Sequence, residues 1–152
     1  TDGHASLFAD NPGNSGGVFQ TGIAGTAGQE YTFDLTDFSV EDNFGGNINV
    51  ALEFYEGDDA TLISDATNTF TLAIADPAPA PGTLTVTATA PGNTAFVRPL
   101  ISFDNADGSG STQENFFVFD TSLTAVPEPS MAALGLGLVG LGLATTRRRR
   151  RA

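Results

Sequence analysis

Three stretches of this chain alternate between apolar and polar side chains with a period of two, and that constrains them to be β-strands with one buried face. In "EYTFDLTDFSV", Tyr31, Phe33 and Leu35 share one face, and Thr32, Asp34 and Thr36 the other. In "NINVALEFYE", Ile48, Val50, Leu52 and Phe54 oppose Asn47, Asn49, Ala51, Glu53 and Tyr55. In "TLTVTATA", Leu84, Val86 and Ala88 oppose Thr83, Thr85, Thr87 and Thr89. No window before the C-terminal tail carries the stripe of an amphipathic helix.

Shorter runs complete the pattern. "HASLFAD" and the glycine-bracketed "GGVFQTGIAG" read as the first strands. "GDDATLIS" reads as a turn at Gly57, Asp58 and Asp59 with a short return strand, and "TFTLAIA" as a separate strand with Phe70, Leu72 and Ile74 on one face. In "AFVRPLISF", Val97, Ile101 and Phe103 oppose Phe96, Arg98 and Leu100, and Pro99 predicts an edge or a bulge because proline has no N–H for the ladder. "NFFVFDTSLTAV" is the last strand, and "ADPAPAPG" and "NADGSGSTQ" are loops. Roughly eight strands at turn spacings near ten residues predict an all-β fold, an antiparallel β-sandwich of jelly-roll type, over residues 1–125.

Charge divides the chain in two. Seventeen acidic residues against Arg98 alone give residues 1–125 a formal charge of −16; five arginines against Glu128 give residues 126–152 a charge of +4, which together make −12. A body this acidic excludes nucleic-acid binding by phosphate neutralisation and predicts high solubility. The absence of cysteine excludes disulfides and thiolate metal sites. The stretch from Thr1 has neither a basic nor an apolar leader segment, so the chain is expected to lack its natural N-terminus.

The tail has three parts in order: Val126, Pro127, Glu128 and Pro129; an uncharged run from Met131 to Ala144; and Arg147, Arg148, Arg149, Arg150 and Arg151. Continued through Thr146, the apolar run makes a helix of about 24 Å, short for a bilayer core of about 30 Å but able to span with local thinning. Arginines beside a span stay on the cytoplasmic side, which places the acidic body outside. The expectation is a single short C-terminal transmembrane helix.

This order resembles the PEP-CTERM sorting signal of Gram-negative bacteria. The resemblance implies that an exosortase, a membrane transpeptidase, recognises the tail while the chain is held at the inner membrane. It implies processing near Pro127, Glu128 and Pro129, with Arg147 to Arg151 as the membrane stop. It also implies delivery to the cell surface or extracellular matrix, often alongside exopolysaccharide.

The body resembles galactose-binding-domain-like jelly rolls and related carbohydrate-binding modules. The residues that carry this are Gln20; Ala27, Gly28, Tyr31, Thr32 and Phe33; Glu53, Phe54 and Tyr55; Ala90, Pro91 and Thr94; Arg98; and Asp120. Such modules usually begin with one more strand, which is expected to be missing here together with part of the usual calcium site. Sugar recognition uses aromatic rings for stacking and a few polar groups in a groove. The candidate contacts are Phe44, Tyr55, Phe96 and Arg98, against the alternative that the phenylalanines are core and Arg98 pairs with a carboxylate. The absence of tryptophan weakens the sugar reading.

Calcium candidates are Asp104 and Asp107 in "DNADGSG", with Asp120 by resemblance; "EGDD" at 56–59 is a second oxygen-rich turn. Neither turn has EF-hand spacing, and aspartate and glycine are ordinary turn residues. Catalysis is poorly served. His4 is the sole histidine and sits at the chain's start, so no mid-domain base exists for a serine triad. The expected function is that of an exported, non-catalytic surface or matrix protein whose partners are exosortase, the inner membrane in transit and a polysaccharide. The alternatives are a carbohydrate-binding module engaging exopolysaccharide and, last, a glycan-active hydrolase acting through paired carboxylates.

Overall fold

The computed structural model describes residues 5–9, 15–40, 45–72, 82–104 and 114–126. Nine strands lie within them: β1 (Ala5–Ala9), β2 (Ser15–Phe19), β3 (Ile23–Ala24), β4 (Glu30–Val40), β5 (Gly46–Tyr55), β6 (Leu62–Leu72), β7 (Leu84–Thr89), β8 (Phe96–Asp104) and β9 (Glu114–Val126). Among the described residues no helix is long and apolar enough to cross a membrane. Pro127, Glu128, Pro129, the apolar run and Arg147 to Arg151 lie outside the described residues.

All pairings are antiparallel. One sheet, sheet A, has the order β1-β9-β4-β7; the other, sheet B, has β2-β8-β5-β6, with β3 also on β8. Since β2 and β3 both flank β8, they act as one interrupted strand. The two sheets then hold four strands each, and early and late strands interleave in both, which is jelly-roll order.

The period-two faces predicted from sequence form the core. Tyr31, Phe33 and Leu35 from β4, Ile48, Val50, Leu52 and Phe54 from β5, Leu84 and Val86 from β7, and Val97, Ile101 and Phe103 from β8 are all buried. They make one cluster with Phe116 and Val118 of β9. Tyr31 of sheet A meets Phe54 of sheet B with ring centroids 6.2 Å apart, so aromatic contact joins the two layers.

One local expectation changes, and another resolves to one of its two alternatives. The return strand at the end of "GDDATLIS" and the described start of "TFTLAIA" are parts of one strand, β6, which pairs with β5 from Tyr55↔Leu62 to Gly46↔Leu72, while Ile74 lies outside the described residues. The polar residues between them form no turn. Asn68 instead reaches across the sandwich and donates from Nδ2 to the Thr85 carbonyl at 2.8 Å, which ties β6 to β7. Pro99 lies in an inner strand, opposite Leu52 of β5, and not at an edge. On its other side the partner strand is broken. Phe19 pairs with Leu100 and Ile23 with Val97, so three residues, Gln20 to Gly22, face only two. The Pro99 carbonyl accepts from Gln20 N there at 3.3 Å. In an antiparallel ladder a residue's N and O point to the same side, so the missing N–H faces this bulge, where no partner is needed.

The β5–β6 turn is built by Asp58. Its Oδ1 accepts from Ala60 N at 3.0 Å and Thr61 N at 2.9 Å, and its Oδ2 from Thr61 Oγ1 at 2.7 Å. The Thr61 main-chain and side-chain donors, with Ala60 N, hold the Asp58 carboxyl down to about 2. A depressed carboxylate stabilises the fold above its ordinary value and loses that contribution as pH falls toward 2. Asp58→Ala is therefore expected to melt below the unaltered protein at neutral pH, with the gap narrowing from about pH 4 to pH 2. Circular-dichroism melts across that range check this; a gap independent of pH would remove the charge from the explanation.

Candidate functional site

The outward face of sheet B carries the site. Antiparallel register sets its rows. Ser15 of β2 and Asn47 of β5 flank Asp104 of β8; Gly17 and Asn49 flank Ser102; Phe19 and Ala51 flank Leu100. These residues alternate with the buried set, so their side chains point away from the core.

Between Phe19 and Asp104 lies a shallow groove of 390 Å³, lined by Ser15, Gly17, Phe19, Asn49, Leu100, Ser102 and Asp104 among others. Gly17 keeps it open. A Cβ there would stand 2.8 Å from the Ile101 carbonyl oxygen, so β2 lies against β8 with no room for a side chain. One end of the groove is apolar, where the Phe19 ring is 55% exposed. The other end is polar and ordered by β6. Thr71 Oγ1 donates to Asn47 Oδ1 at 2.7 Å, and Asn47 Nδ2 donates to Asp104 Oδ1 at 2.8 Å. In the next row Thr69 Oγ1 donates to Asn49 Oδ1 at 2.6 Å, which leaves the two amide N–H donors of Asn49 at the groove.

Beside the groove sits a packed cation cluster. The Arg98 guanidinium lies between two rings, 4.8 Å from the Phe19 centroid and 4.1 Å from that of Tyr55. Its Nη1 donates to Tyr55 Oη at 2.9 Å and its Nη2 to the Asp59 carbonyl at 3.3 Å. Glu53 and Asp59 carboxylates stand 3.9 and 3.6 Å away. Tyr55 in turn donates to Glu53 Oε2 at 2.9 Å. Burial first, and then the hydrogen bond to Glu53, push the Tyr55 hydroxyl above its ordinary value of 10.0. Asp59 lies in the left-handed region at φ 52°, which aspartate tolerates in turns better than most non-glycine residues.

Of the residues singled out from sequence, Tyr55, Phe96 and Arg98 come together. Phe96 is half-buried opposite Tyr55 in the β5–β8 register. Tyr55 is only 7% exposed and presents no open ring face. Phe44 lies outside the described residues. On this face of sheet B the exposed ring is Phe19, within "GGVFQTGIAG", with Arg98 against one of its faces. Its signal was there: a phenylalanine among Gly16, Gly17 and Gly22, in a run too poor in bulk to cover it.

Of the carboxylates proposed for calcium, the two that are described, Asp104 and Asp120, lie in different sheets. Asp104 belongs to sheet B, whereas Asp120 belongs to β9 of sheet A, where it pairs with Asp37 and accepts from Thr36 Oγ1 at 2.9 Å. Asp107 lies outside the described residues. Among the described residues no group of three or more metal-ligating side chains occurs. Asp58 and Asp59 of the "EGDD" turn serve the turn itself and Arg98.

No family model matches this sequence, and none of the curated proteins matches it. Among solved structures the chain is similar to the enzymatically active domain of tailspike protein 4 of bacteriophage CBA120, with a TM-score of 0.51 and 8% identity over 83% of this chain and 18% of that one. The chain thus spans under a fifth of that structure, and the likeness is one of fold. It is also similar to a family 16 carbohydrate-binding module, with a TM-score of 0.47 and 18% identity over 78% of this chain and 74% of that one. A CBM4 structure gives a TM-score of 0.46 and 16% identity over 81% of this chain and 82% of that one.

Proposed function

We propose that the domain is a non-catalytic carbohydrate-binding module that holds a polysaccharide in the groove on the outward face of sheet B. The observation that carries this is the exposed Phe19 ring at one end of a groove whose polar lining includes Asn49, Ser102 and Asp104. A pyranose ring offers an apolar C–H face and equatorial hydroxyls. Phe19 supplies a stacking surface for the first, and Asn49 donors with the Asp104 acceptor serve the second. The sole histidine lies at residue 4, and that is consistent with binding without turnover.

The test is titration calorimetry against a panel of polysaccharides. Phe19→Ala is expected to weaken binding about tenfold or more, equivalent to about 1.4 kcal/mol, while the melting temperature moves little because the ring is mostly in solvent. Unchanged affinity in this variant would move the binding site elsewhere.

The tail adds an address to this activity. We propose that it sorts the domain to the cell surface or matrix by exosortase processing, with the acidic body outside the inner membrane. What supports this is the ordered set of Pro127, Glu128 and Pro129, the apolar run and Arg147 to Arg151. β9 continues through Val126, which pairs with Glu30, and its carbonyl accepts from the Gln29 side chain. In sequence, Pro127 directly follows Val126, the last paired residue among those described. Mass spectrometry of the surface form reads the C-terminus; an intact arginine tail there would refute processing.

A further inference from the structure

We infer that Asp104 makes the groove selective by charge, so that it favours glycans bearing unacetylated, protonated amino sugars over neutral ones and turns away uronate-bearing ones. This rests on the groove being the binding site.

Among the described residues that line the groove, Asp104 is the one charged side chain. It is also held in place. Thr71 fixes Asn47, and the Asn47 amide fixes Asp104 Oδ1, so the carboxylate is pre-oriented across three strands. That contact uses one acceptor position of a group that has about four. The remaining capacity suits an ammonium, or failing that a hydroxyl. A sugar carboxylate would meet a fixed like charge.

Among the described residues, no cation lines the groove. Arg98 is the single basic residue before the tail. Its guanidinium is stacked between Phe19 and Tyr55 and directed at Tyr55, Asp59 and Glu53. It faces carboxylates of its own sheet and not the groove's polar end. The −16 charge of residues 1–125 adds a field of the same sign as Asp104. Phe19 at the other end offers a stacking surface to a sugar of any charge, one face of its ring being already held against the Arg98 guanidinium.

The test uses the full domain with three oligosaccharides of matched length: glucosamine oligomers at a pH where the amine is protonated, N-acetylglucosamine oligomers, and galacturonate oligomers. Each is titrated at low and high salt into the unaltered protein and into Asp104→Asn, which keeps an oxygen to accept from Asn47. The expected order at low salt is glucosamine, then N-acetylglucosamine, then galacturonate, with about tenfold between the extremes. In Asp104→Asn the spread should shrink by more than the same salt step shrinks it in the unaltered protein. A spread unchanged in Asp104→Asn overturns the role of Asp104 and assigns the preference to the diffuse field of the body. Galacturonate bound as tightly as glucosamine overturns the charge preference and leaves glycan binding standing. No binding of any sugar, in this set or the wider panel, overturns both.

Discussion

Phe54→Ala is expected to cost the domain about 3–5 kcal/mol and to lower its melting temperature by roughly 10–20 °C. Phe54 is 1% exposed, on the inner face of β5, in the middle of sheet B. It packs against Tyr31 from the opposite sheet. Truncation removes most of a phenyl ring from a site bounded on both sides by main-chain ladders, so the walls cannot move in without breaking hydrogen bonds. The cavity therefore stays, and its cost adds to the lost transfer energy. Leu62→Ala, at a position 47% exposed, should cost less than about 1 kcal/mol in the same melt. Equal losses at the two positions would mean that the two layers do not pack as described.

Arg98→Ala is expected to cost about 2–3 kcal/mol, below the range for a fully buried pair because solvent still reaches the cluster. The arginine side chain is 17% exposed, and its removal leaves Glu53 and Asp59 without a cation while Asp65 stands opposite Glu53 on β6. It also removes the surface on which Phe19 and Tyr55 both rest. Lysine at the same place should recover only part of the loss, because it lacks the planar group that fills the space between two rings. A spectroscopic readout accompanies this. Tyr55 already titrates above 10.0, so the fold gains from its neutral form and loses that gain as pH climbs through its raised value. Arg98 is the neighbour that pulls Tyr55 downward, and without it the alkaline ultraviolet titration should shift further up. A titration that moves down would show that the guanidinium does not face the phenol.

The strand faces were legible in sequence because burial acts on every second residue and leaves a local record. Tyr31 to Leu35, Ile48 to Phe54 and Leu84 to Val86 could be assigned without knowing a single partner strand. Features set by pairing were not legible. The segment from Asp65 to Asn68 looks like a break until Asn68 is seen to bond Thr85 in the other sheet. Pro99 reads as an edge or a bulge residue, and only the pairing of Gln20 to Gly22 beside it decides for the bulge. The candidate site divides in the same way. Arg98 and Tyr55 drew notice as chemistry-bearing residues on known faces, yet their mutual contacts turn them inward on one another. Phe19 and Asn49 matter through neighbours contributed by β6 and β8, far away along the chain. Asp104 and Asp120 resemble each other in sequence, and only strand order shows that they belong to different sheets.

The place of β9 has a consequence for how the protein is made. β9 lies between β1 and β4, so sheet A has no continuous interior until residues 114–126 arrive. During synthesis those residues emerge after every other described strand. β4 can pair with β7 early, but β1 waits for the far end of the chain. Closure of the sandwich is thus a late, long-range event, slow in the manner of folds dominated by distant contacts. A chain halted before residue 114 would expose the inner faces of both sheets, and in a crowded compartment it would be a substrate for chaperones.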